Sequence, residues 1–477
     1  MNQVTLVWIA LPFLLGFILY FLPRFTRPFV FWVGFFSLGY GLALGVQAEP
    51  VSLRLLDSFG VSLYLDSLTS FFIVTNALVT IAVIFATWEN DKTPFFFAQL
   101  LILHGSINVA FATTDWISLY VALEVIGIAA FLLITYPRTE RVIWVGLRYL
   151  LISNIAMLFY LVGAVLVYEA DHSFDFVGLR VAPPEAVALL ILGLLVKGGI
   201  FVLGFWLPMT HASAEAPVSA LLSGVVVKAA VLPLIRVALL IEEVEPIIRL
   251  LGVGTALLGV GYALFERDVK RVLAWSTTSQ MGFILAAPQV GGFYALTHGL
   301  VKAALFLVAG QLPSRNLDVL KQQGIPRSLG IPLALASFSI SGFPLLAGFG
   351  AKVLTMKNLL PWQEWGMNGA AVGTATIYAS AFFLPWTKTP TALTQGFWGA
   401  MGVLLGGLFV ANVVYYEAFT WGNVIKPLVI IAIGWSLYWG VVRRLTVRFS
   451  HVLEQLAHLL GVMSVGLVVL FWLAWGW

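Results

Sequence analysis

The chain has 477 residues, of which 60% are hydrophobic and only 10% are charged, and its formal net charge is +4. A composition this apolar excludes an ordinary soluble domain and predicts a helical protein that crosses a membrane many times. The absence of cysteine excludes disulfides, thiolate-held iron–sulfur clusters and cysteine nucleophiles. The small net charge lies in loops, so it bears on membrane topology and gives no reason to expect nucleic-acid binding.

Apolar stretches of membrane-spanning length follow one another along the whole chain. No long polar segment separates them, so we expect no soluble catalytic domain. The first stretch lacks the small-residue site of a cleaved signal peptide and is expected to span the bilayer. Sixteen spans are predicted, at 4–22, 28–46, 66–87, 94–112, 116–136, 142–168, 186–207, 212–241, 246–265, 270–288, 291–312, 328–360, 367–386, 393–414, 424–442 and 457–476.

Several segments interrupt this pattern. Residues 51–65 alternate around a central glycine, which predicts a short hairpin outside the bilayer. The helical pattern breaks at Leu207–His211 and again at Ala216–Pro217, and the twelfth span contains Ser341–Pro344 followed by Gly348–Gly350. A broken backbone at membrane depth is tolerated only where protein buries it or where it lines a water-filled cavity.

Basic loops alternate with acidic or neutral loops across all sixteen predicted spans. Because positive loops stay in the cytoplasm, both chain termini are expected on the non-cytoplasmic side. The basic loops contain Arg24 and Arg27; Lys92; Arg138 and Arg141; Arg267, Lys270 and Arg271; Arg315, Lys321 and Arg327; Lys388; and Arg443, Arg444 and Arg448.

Few ionisable residues remain inside the predicted spans. A charge at the bilayer centre costs several kcal/mol unless it is paired or hydrated, so each such residue is a candidate functional residue. The candidates are Glu124, Arg148, Lys197, Lys228, His298, Lys302 and Lys352, with His104 and His211 as weaker cases.

Glu124 lies in the middle of its span, where a neighbouring lysine would keep it ionised; the alternative is a purely structural ion pair. His298 and Lys302 are four residues apart and share one helix face, which suits a proton relay. The alternative is a histidine bonded to a backbone carbonyl and a lysine that reaches the interface. His104 is expected to be a packed, hydrogen-bonded histidine, and Arg148 is expected to extend to the nearby interface.

The sequence offers no site for a cofactor. No cluster of histidines and carboxylates has metal-ligand spacing, and no glycine-rich loop follows a strand. We therefore expect no metal, nucleotide or redox centre in this chain, and glycine is better explained by close helix packing and helix breaks.

Four segments resemble, in order, the signature segments of the antiporter-like membrane subunits: KGGIFVLGFWLPMTHASAEAPVSALLSGVVVK, DVKRVLAWSTTSQMG, HGLVKAALFLVAG and SISGFPLLAGFGAK. This family includes the proton-pumping membrane subunits of respiratory complex I and its photosynthetic relatives, and the large subunits of Mrp-type sodium/proton antiporters. The resemblance extends over residues 60–415 in outline.

The resemblance implies an all-α polytopic membrane protein with 14–16 transmembrane helices and two inverted five-helix repeats, each with a broken helix. It divides the chain into N-terminal helices with the hairpin (1–93), a first repeat (94–241), a second repeat (246–390) and C-terminal helices (391–477).

The resemblance also implies residue roles. Glu124 matches the glutamate that pairs with the first channel lysine, Lys197, and Lys228 matches the connecting lysine. His298 and Lys302 match the central relay of the second half, and Lys352 matches the terminal charge on the second broken helix. These six residues are the predicted catalytic set.

The sequence departs from the family pattern at three places. Met209-Thr210 stands where many members have an aspartate after Leu-Pro, and Arg148 stands where many have lysine. Lys352 stands where one type of complex I subunit has glutamate, which argues against that type. Only two further spans follow the core, so the long lateral helix of the largest members is not expected.

The sequence therefore favours a proton-translocating subunit of a multi-subunit Na+/H+ antiporter of the Mrp type, similar to the D component of that antiporter. The expected location is a bacterial cell membrane or a thylakoid membrane. The second hypothesis is a proton-pumping membrane subunit of a complex I-like NAD(P)H or ferredoxin:quinone oxidoreductase, a translocase subunit without its own redox centre. A non-pumping scaffold and a partner subunit for carbon uptake are further alternatives. The expected partners are other hydrophobic membrane subunits, the lipid bilayer, protons and Na+.

Overall fold

The computed structural model describes residues 2–55, 60–388, 392–444, 449 and 451–475. The predicted turn of the hairpin at 56–59, the boundary at 390–391, Arg448 and the last residue of the sixteenth predicted span lie outside the described residues. The first ten α-helices are α1 (Asn2–Ile18), α2 (Thr26–Val46), α3 (Ser67–Ala86), α4 (Pro94–Ala112), α5 (Trp116–Ile134), α6 (Glu140–Asp171), α7 (Pro184–Gly198), α8 (Leu207–Ser213), α9 (Ala216–Leu221) and α10 (Lys228–Leu240).

The remaining helices form the second part of the molecule and its C-terminal end. They are α11 (Glu245–Phe265), α12 (Val269–Ala286), α13 (Gly291–Ala309), α14 (Leu317–Gln323), α15 (Arg327–Ser341), α16 (Gly348–Lys357), α17 (Glu364–Phe382), α18 (Gln395–Val414), α19 (Trp421–Gly440) and α20 (Leu456–Trp475).

Each predicted span coincides with a helix or with a pair of broken helices. Among the described residues, eleven helices are long and apolar enough to cross a membrane, or twelve when the bent unit of α7 with Phe201–Ser213 is included. The other predicted spans fall on helices that are shorter or more polar. α12, for example, contains the polar run Ser276–Gln280. The protein is therefore a multi-pass integral membrane protein.

The predicted hairpin is present as two antiparallel strands, β1 (Val51–Arg54) and β2 (Ser62–Leu65). Asp66 follows β2 and caps α3, because its side chain accepts the backbone N–H of Thr69. Arg236 of α10 donates to the same carboxylate at 2.9 Å, so the hairpin is joined to the end of α10. Two further short strands, β3 (Ile325–Pro326) and β4 (Trp386–Thr387), pair in parallel.

Two helix breaks are present, and both begin at a glycine with positive φ. The second lies where the sequence predicts it, but the prediction of a break at Leu207–His211 is wrong, because these residues belong to α8 and the break precedes them. Pro208 begins α8 instead of interrupting a helix, since the first turn of a helix needs no N–H at that position. Gly199 (φ +62°) ends α7, and a 3₁₀ turn over Phe201–Gly204 leads to α8. Gly342 (φ +86°) ends α15, and α16 begins six residues later at Gly348. Glycine adopts this conformation without a steric penalty, so it stops each helix inside the protein.

The last two helices of the chain pack in different places. α19 packs on α17, whereas α20 returns to the opposite part of the molecule and packs on α6 and α7. Arg271 at the start of α12 pairs with Glu454, just before α20. The chain thereby connects its second half to the helix that carries Lys197.

Candidate functional site

The first ion pair joins the partly exposed Glu124 of α5 to the buried Lys197 at the end of α7. Lys197 is the second-to-last residue of α7, and its Nζ lies 3.3 Å from Oε1 of Glu124 and donates to the carbonyl of Leu123 at 2.9 Å. A Cβ placed on Gly127 would lie 3.0 Å from the same Nζ. Gly127 therefore leaves the space that the ammonium group occupies. The predicted Glu124–Lys197 pair is present.

Lys228 lies at the end of a local distortion between α9 and α10. Residues Leu222–Val226 form a π-helical turn, which widens the backbone and frees carbonyl groups from the regular helical pattern. The fully buried Nζ of Lys228 donates to two of these carbonyls, Ser223 at 3.1 Å and Gly224 at 2.7 Å. The ammonium group is thus solvated by backbone dipoles rather than by a carboxylate.

Lys302 is held between α12 and α17. Its fully buried Nζ donates to the carbonyl of Leu273 at 2.8 Å and to the hydroxyl of Tyr378 at 2.9 Å. The Tyr378 hydroxyl also shares a hydrogen bond with Ser276 at 2.9 Å. Lys302 therefore begins a polar chain that continues into the polar run of α12.

His298 lies one turn before Lys302 on α13, close to the π-helical turn at Leu222–Val226. A Cβ on the adjacent Gly299 would meet the carbonyl of Gly224 at 2.9 Å and Nζ of Lys228 at 3.6 Å. Lys302 follows His298 by four residues on the same face of α13. Within the described part of the chain, neither ring nitrogen of His298 has a hydrogen-bond partner. A buried imidazole with both nitrogens available lies beside two ammonium groups.

Lys352 lies on α16, just after the second break. Its aliphatic chain packs on Gly342, where a Cβ would lie 2.9 Å from Cδ, and its Nζ lies 5.3 Å from the ring centre of Phe283. Nζ has no hydrogen-bond partner among the described residues. Lys352 also lines a cavity of about 100 Å³ that reaches residues of α19, such as Asn423. This ammonium group is buried but borders open space.

Further polar groups lie between Lys302 and Lys352. Tyr294 donates to Oε1 of Gln280 at 2.6 Å, and Nε2 of Gln280 donates to Thr374 at 3.2 Å. The Tyr294 ring stacks on Phe283, the ring that faces Lys352. Side chains of α12, α13 and α17 thus form a polar seam through the second half of the protein.

The structure places the six predicted residues in three groups. Glu124 and Lys197 form the first, and Lys352 stands apart as the third. The central group contains Lys228, His298 and Lys302. No hydrogen bond between described residues joins one group directly to the next, so proton transfer between groups needs water or a side-chain movement.

The two weaker histidine candidates differ from each other. His104 accepts or donates hydrogen bonds with Ser37 at 2.8 Å and Thr80 at 2.9 Å, so it is the packed histidine that the sequence predicts. His211 is fully buried and stacks on Phe306, and its ring nitrogens have no partner in the described ranges.

Arg148 contacts α8, the helix that follows the first break. Its side chain is buried in the protein, lies over Trp144, and directs a guanidinium N–H toward the sulfur of Met209. Arg148 and Met209 are two of the positions at which the sequence departs from the family pattern, and they contact each other. The sulfur of Met209 in α8 is a polarisable partner for the guanidinium group.

Sequence reasoning missed several polar residues that support the site. Tyr378 carries no formal charge, so a search for buried charges did not find it. Lys270, which the sequence placed in a basic loop, is buried at the start of α12 and donates to the carbonyl of Ala214 at 2.6 Å. Arg249 donates to the carbonyls of Ala286 and Asn358, which fixes the end of α16. Only the final spatial arrangement reveals these contacts.

The chemistry of the site is acid–base chemistry. Among the described residues, no group of three or more histidine, cysteine, aspartate or glutamate side chains is placed to hold a metal ion. The site contains buried lysines, histidines and hydroxyls and the partly exposed Glu124, all of which bind or release protons or pass hydrogen bonds. A polytopic membrane fold with such a series of buried titratable groups defines a class of ion-translocating membrane subunits.

The chain matches the family described as "NADH:quinone oxidoreductase/Mrp antiporter, TM" over residues 113–378, more than half of its length. It therefore belongs to this family, and the resemblance inferred from its signature segments is confirmed.

Curated relatives come from both branches of the family. The chain is 27% identical to the D component of the Na(+)/H(+) antiporter of Alkalihalophilus pseudofirmus, over 74% of this chain and 80% of the relative. It is 29% identical to the N component of the NADH-quinone oxidoreductase of Desulforudis audaxviator, over 75% of this chain and 80% of the relative. It is 30% identical to an NAD(P)H-quinone oxidoreductase chain 4 of Synechococcus elongatus, over 72% and 69%.

Solved structures show the same fold and belong to multi-subunit membrane complexes. A chain of the Mrp complex from Dietzia sp. DQ12-45-1b matches with a TM-score of 0.79 and 22% identity, over 98% of this chain and 59% of that chain. This chain thus spans about three fifths of that Mrp chain. A chain of respiratory complex I from Thermus thermophilus with bound Aureothin matches with a TM-score of 0.71 and 22% identity, over 92% of this chain and 98% of that chain. The predicted fold class is confirmed.

Proposed function

We propose that this chain is the proton-translocating subunit of a multi-subunit antiporter that exchanges a monovalent cation, Na+, for protons. The observation that carries the proposal is a series of titratable groups: the buried Lys197 with its partner Glu124, the buried central group of Lys228, His298 and Lys302, and the buried Lys352 at its cavity. Buried ionisable groups in a membrane protein are costly and mark ion pathways. A scaffold needs none of them.

In the proposed mechanism, a proton resides on Lys197 or Lys228, crosses by way of His298 and Lys302, and leaves through Lys352. Water completes the steps between groups that are not in direct contact. Each arriving proton repels the next one, so protons move in sequence. When Glu124 moves away from Lys197, the ammonium loses its counter-charge and its proton is driven toward the central group.

Two parts of the fold have separate roles in the proposed mechanism. Residues 94–241, with the break after Gly199, form one half-channel, and residues 246–390, with the break after Gly342, form the other. Residues 1–93 and 391–477 surround them. Both termini lie on the non-cytoplasmic side, because the basic loops face the cytoplasm.

A second candidate function is proton pumping in a complex I-like NAD(P)H or ferredoxin:quinone oxidoreductase. It is supported by relatives of 29–30% identity that are named as components of quinone oxidoreductases. In this case the electron-transfer centres would belong to other subunits. The same buried groups would serve both functions, and only the driving reaction would differ.

Purification in mild detergent, followed by reconstitution of the intact complex, distinguishes the two functions. We expect several small hydrophobic subunits to co-purify, and we expect an imposed Na+ gradient to drive proton flux into or out of the vesicles. Flux that requires an electron donor and a quinone, and that ignores Na+, would instead establish the oxidoreductase function. Full antiport by this chain alone would contradict the proposed multi-subunit complex.

A further inference from the structure

Two exposed lysines lie at the end of α16 and the start of α19. Lys357 ends α16 and Lys426 lies in the second turn of α19, on the side predicted to be non-cytoplasmic. Two other exposed basic residues on that side are satisfied, since Arg54 pairs with Asp175 and Arg180 donates to a backbone carbonyl. Lys357 and Lys426 have no salt-bridge partner in the described ranges. The two lysines therefore add positive charge, without a carboxylate partner among the described residues, to the predicted non-cytoplasmic side of the protein.

The two lysines line the cavity that also contains Lys352. The cavity measures about 100 Å³, enough for several water molecules, and no carboxylate lies among its described lining residues. Lys352 is buried, and it lies five residues before Lys357, roughly 7 Å further along the helix axis. The exposed pair therefore marks the mouth of the cavity, and Lys352 marks its interior.

Neighbouring aromatic residues place this mouth at the level of the lipid headgroups. Trp365 is 90% exposed at the start of α17, and Trp421 is 85% exposed at the start of α19. Exposed tryptophans of this kind collect at membrane–water interfaces. From the mouth, α19 continues into the bilayer with exposed apolar side chains, Ile425 and Val429 among them.

We propose that Lys357 and Lys426 bind the phosphate of an anionic phospholipid, whose acyl chains lie along α19. Two ammonium groups supply the charge for a phosphate, and the exposed apolar face of α19 supplies the surface for the acyl chains. A soluble phosphate would use the same two lysines but would leave that apolar face without a role.

The lipid would also affect the cavity behind it. A phosphate at the mouth places negative charge close to Lys352, which has no counter-charge of its own among the described residues. This part of the inference rests on the proposed exit of protons through Lys352. The binding site itself does not depend on it.

Native mass spectrometry of the intact complex tests the binding site. The complex is delipidated and then incubated with phosphatidylglycerol or phosphatidylcholine. The test variant is the double substitution Lys357→Gln/Lys426→Gln. The control variant is Lys388→Gln, because Lys388 is an exposed lysine on the predicted cytoplasmic side. We expect the double variant to retain at least one phosphatidylglycerol molecule fewer than either the unmodified complex or the Lys388→Gln variant. We expect all three to retain the same amount of phosphatidylcholine.

Two results would overturn the lipid assignment. Equal retention of phosphatidylglycerol by all variants would show that the two lysines do not bind this lipid. If the double variant then also lost a partner subunit, the lysines would bind an acidic group of that subunit. Displacement of the bound lipid by inorganic phosphate at matched ionic strength would identify a site for free phosphate instead.

Proton flux in vesicles tests the consequence for transport. We expect several-fold higher flux in vesicles that contain phosphatidylglycerol than in phosphatidylcholine alone, and no such difference for the double variant. If lipid retention differs between the variants while flux does not, the binding site stands and the influence of the lipid on Lys352 is wrong; the exit through Lys352 itself is tested by substitution of that residue.

Discussion

Glu124 is the acidic partner of the buried Lys197, and a single substitution tests its role. Glu124→Gln keeps the shape of the side chain but removes the charge that faces Lys197 at 3.3 Å. An opposite charge at this distance changes a proton-binding equilibrium by about 1–3 powers of ten. We expect proton flux to fall roughly tenfold or more while the complex still assembles.

Glu140→Gln is the matched control, because Glu140 is an exposed glutamate at the start of α6. Flux should be unchanged in this variant. Full flux in Glu124→Gln would show that the Glu124–Lys197 pair is structural, and Glu124 would leave the transport path.

Tyr378 was not visible as a candidate in the sequence, yet its hydroxyl accepts the hydrogen bond from Lys302 and joins it to Ser276. Tyr378→Phe removes only this hydroxyl. A hydrogen bond to a charged group contributes about 1.5–3 kcal/mol, so we expect a reduction in flux of roughly tenfold. The test is flux per assembled complex; a normal rate would show that Lys302 does not need Tyr378.

At the scale of single residues, the sequence predicts where the buried charges are but not what holds them. A lysine in an apolar span is conspicuous, so Lys228 and Lys302 could be found without a structure. Their partners are backbone carbonyls and a tyrosine, which occur everywhere in such a sequence. Arg148 contacts Met209, which is 61 residues away in the sequence.

At the scale of helices, the close contact between α13 and the π-helical turn brings Lys228 near His298. A Cβ on Gly299 would lie 2.3 Å from Cγ2 of Thr75 and 2.9 Å from the carbonyl of Gly224. We expect Gly299→Ala to force α13 away from both neighbours, at a cost of about 1–3 kcal/mol in stability, and to reduce flux. Thermal unfolding of the purified protein measures the first effect.

Gly402→Ala on α18 is the control for this substitution, because no atom lies within 4 Å of the position that its Cβ would occupy. There, alanine should leave flux unchanged and raise stability slightly, since glycine is a poor residue in a helix. Equal behaviour of the two variants would show that the contact between α13 and the turn is not tight.

The junction between α11 and α12 provides a pH-dependent contribution to stability. Burial opposes ionisation of Glu266, but the Arg271 guanidinium at 2.7 Å and the backbone N–H groups of Arg267 and Asp268 outweigh it and lower the pKa of Glu266. A carboxyl group with a lowered folded-state pKa stabilises the protein fully above its unfolded pKa of about 4.3. This stabilisation is lost as the pH falls through the folded-state pKa.

Thermal unfolding of purified Glu266→Gln and of the unmodified protein between pH 7 and pH 3 tests this linkage. We expect the variant to unfold at a lower temperature near neutral pH, and we expect the difference to shrink below the usual range of glutamate. A difference that stays constant over the whole range would rule out a contribution from ionised Glu266.

The helix pattern was largely predictable, because apolar runs and Gly-Pro breaks are local signals. The hairpin and the second broken helix occur where the sequence places them, whereas the first break precedes Leu207 instead of falling on Leu207–His211. The π-helical turn before Lys228 was not predicted, since Leu222–Val226 reads as a regular apolar helix segment. Its widened backbone depends on α13 and α3, which pack against it.

At the scale of the whole molecule, the number and order of the helices follow from hydropathy and loop charge, but their arrangement does not. Nothing in the sequence of α20 indicates that it packs on α6 and α7 rather than beside α19. The pairing of Arg271 with Glu454 joins residues 183 positions apart. Long-range contacts of this kind are set by the folded assembly of helices.

The central claim is that the buried groups form one proton path that ends at Lys352. Every proton that uses the path must then leave Lys352, which borders the cavity next to α19. Arginine keeps the positive charge but does not release its proton at any accessible pH. An arginine at position 352 therefore separates a fixed charge from a group that exchanges protons.

The most direct test is proton flux in inside-out vesicles for Lys352→Arg and Lys352→Ala, normalised to the amount of assembled complex. If protons leave through Lys352, both variants should assemble normally and both should lose flux. Lys352→Arg with full flux and Lys352→Ala without it would contradict the account, because Lys352 would then be an electrostatic anchor and the path would end at His298 and Lys302.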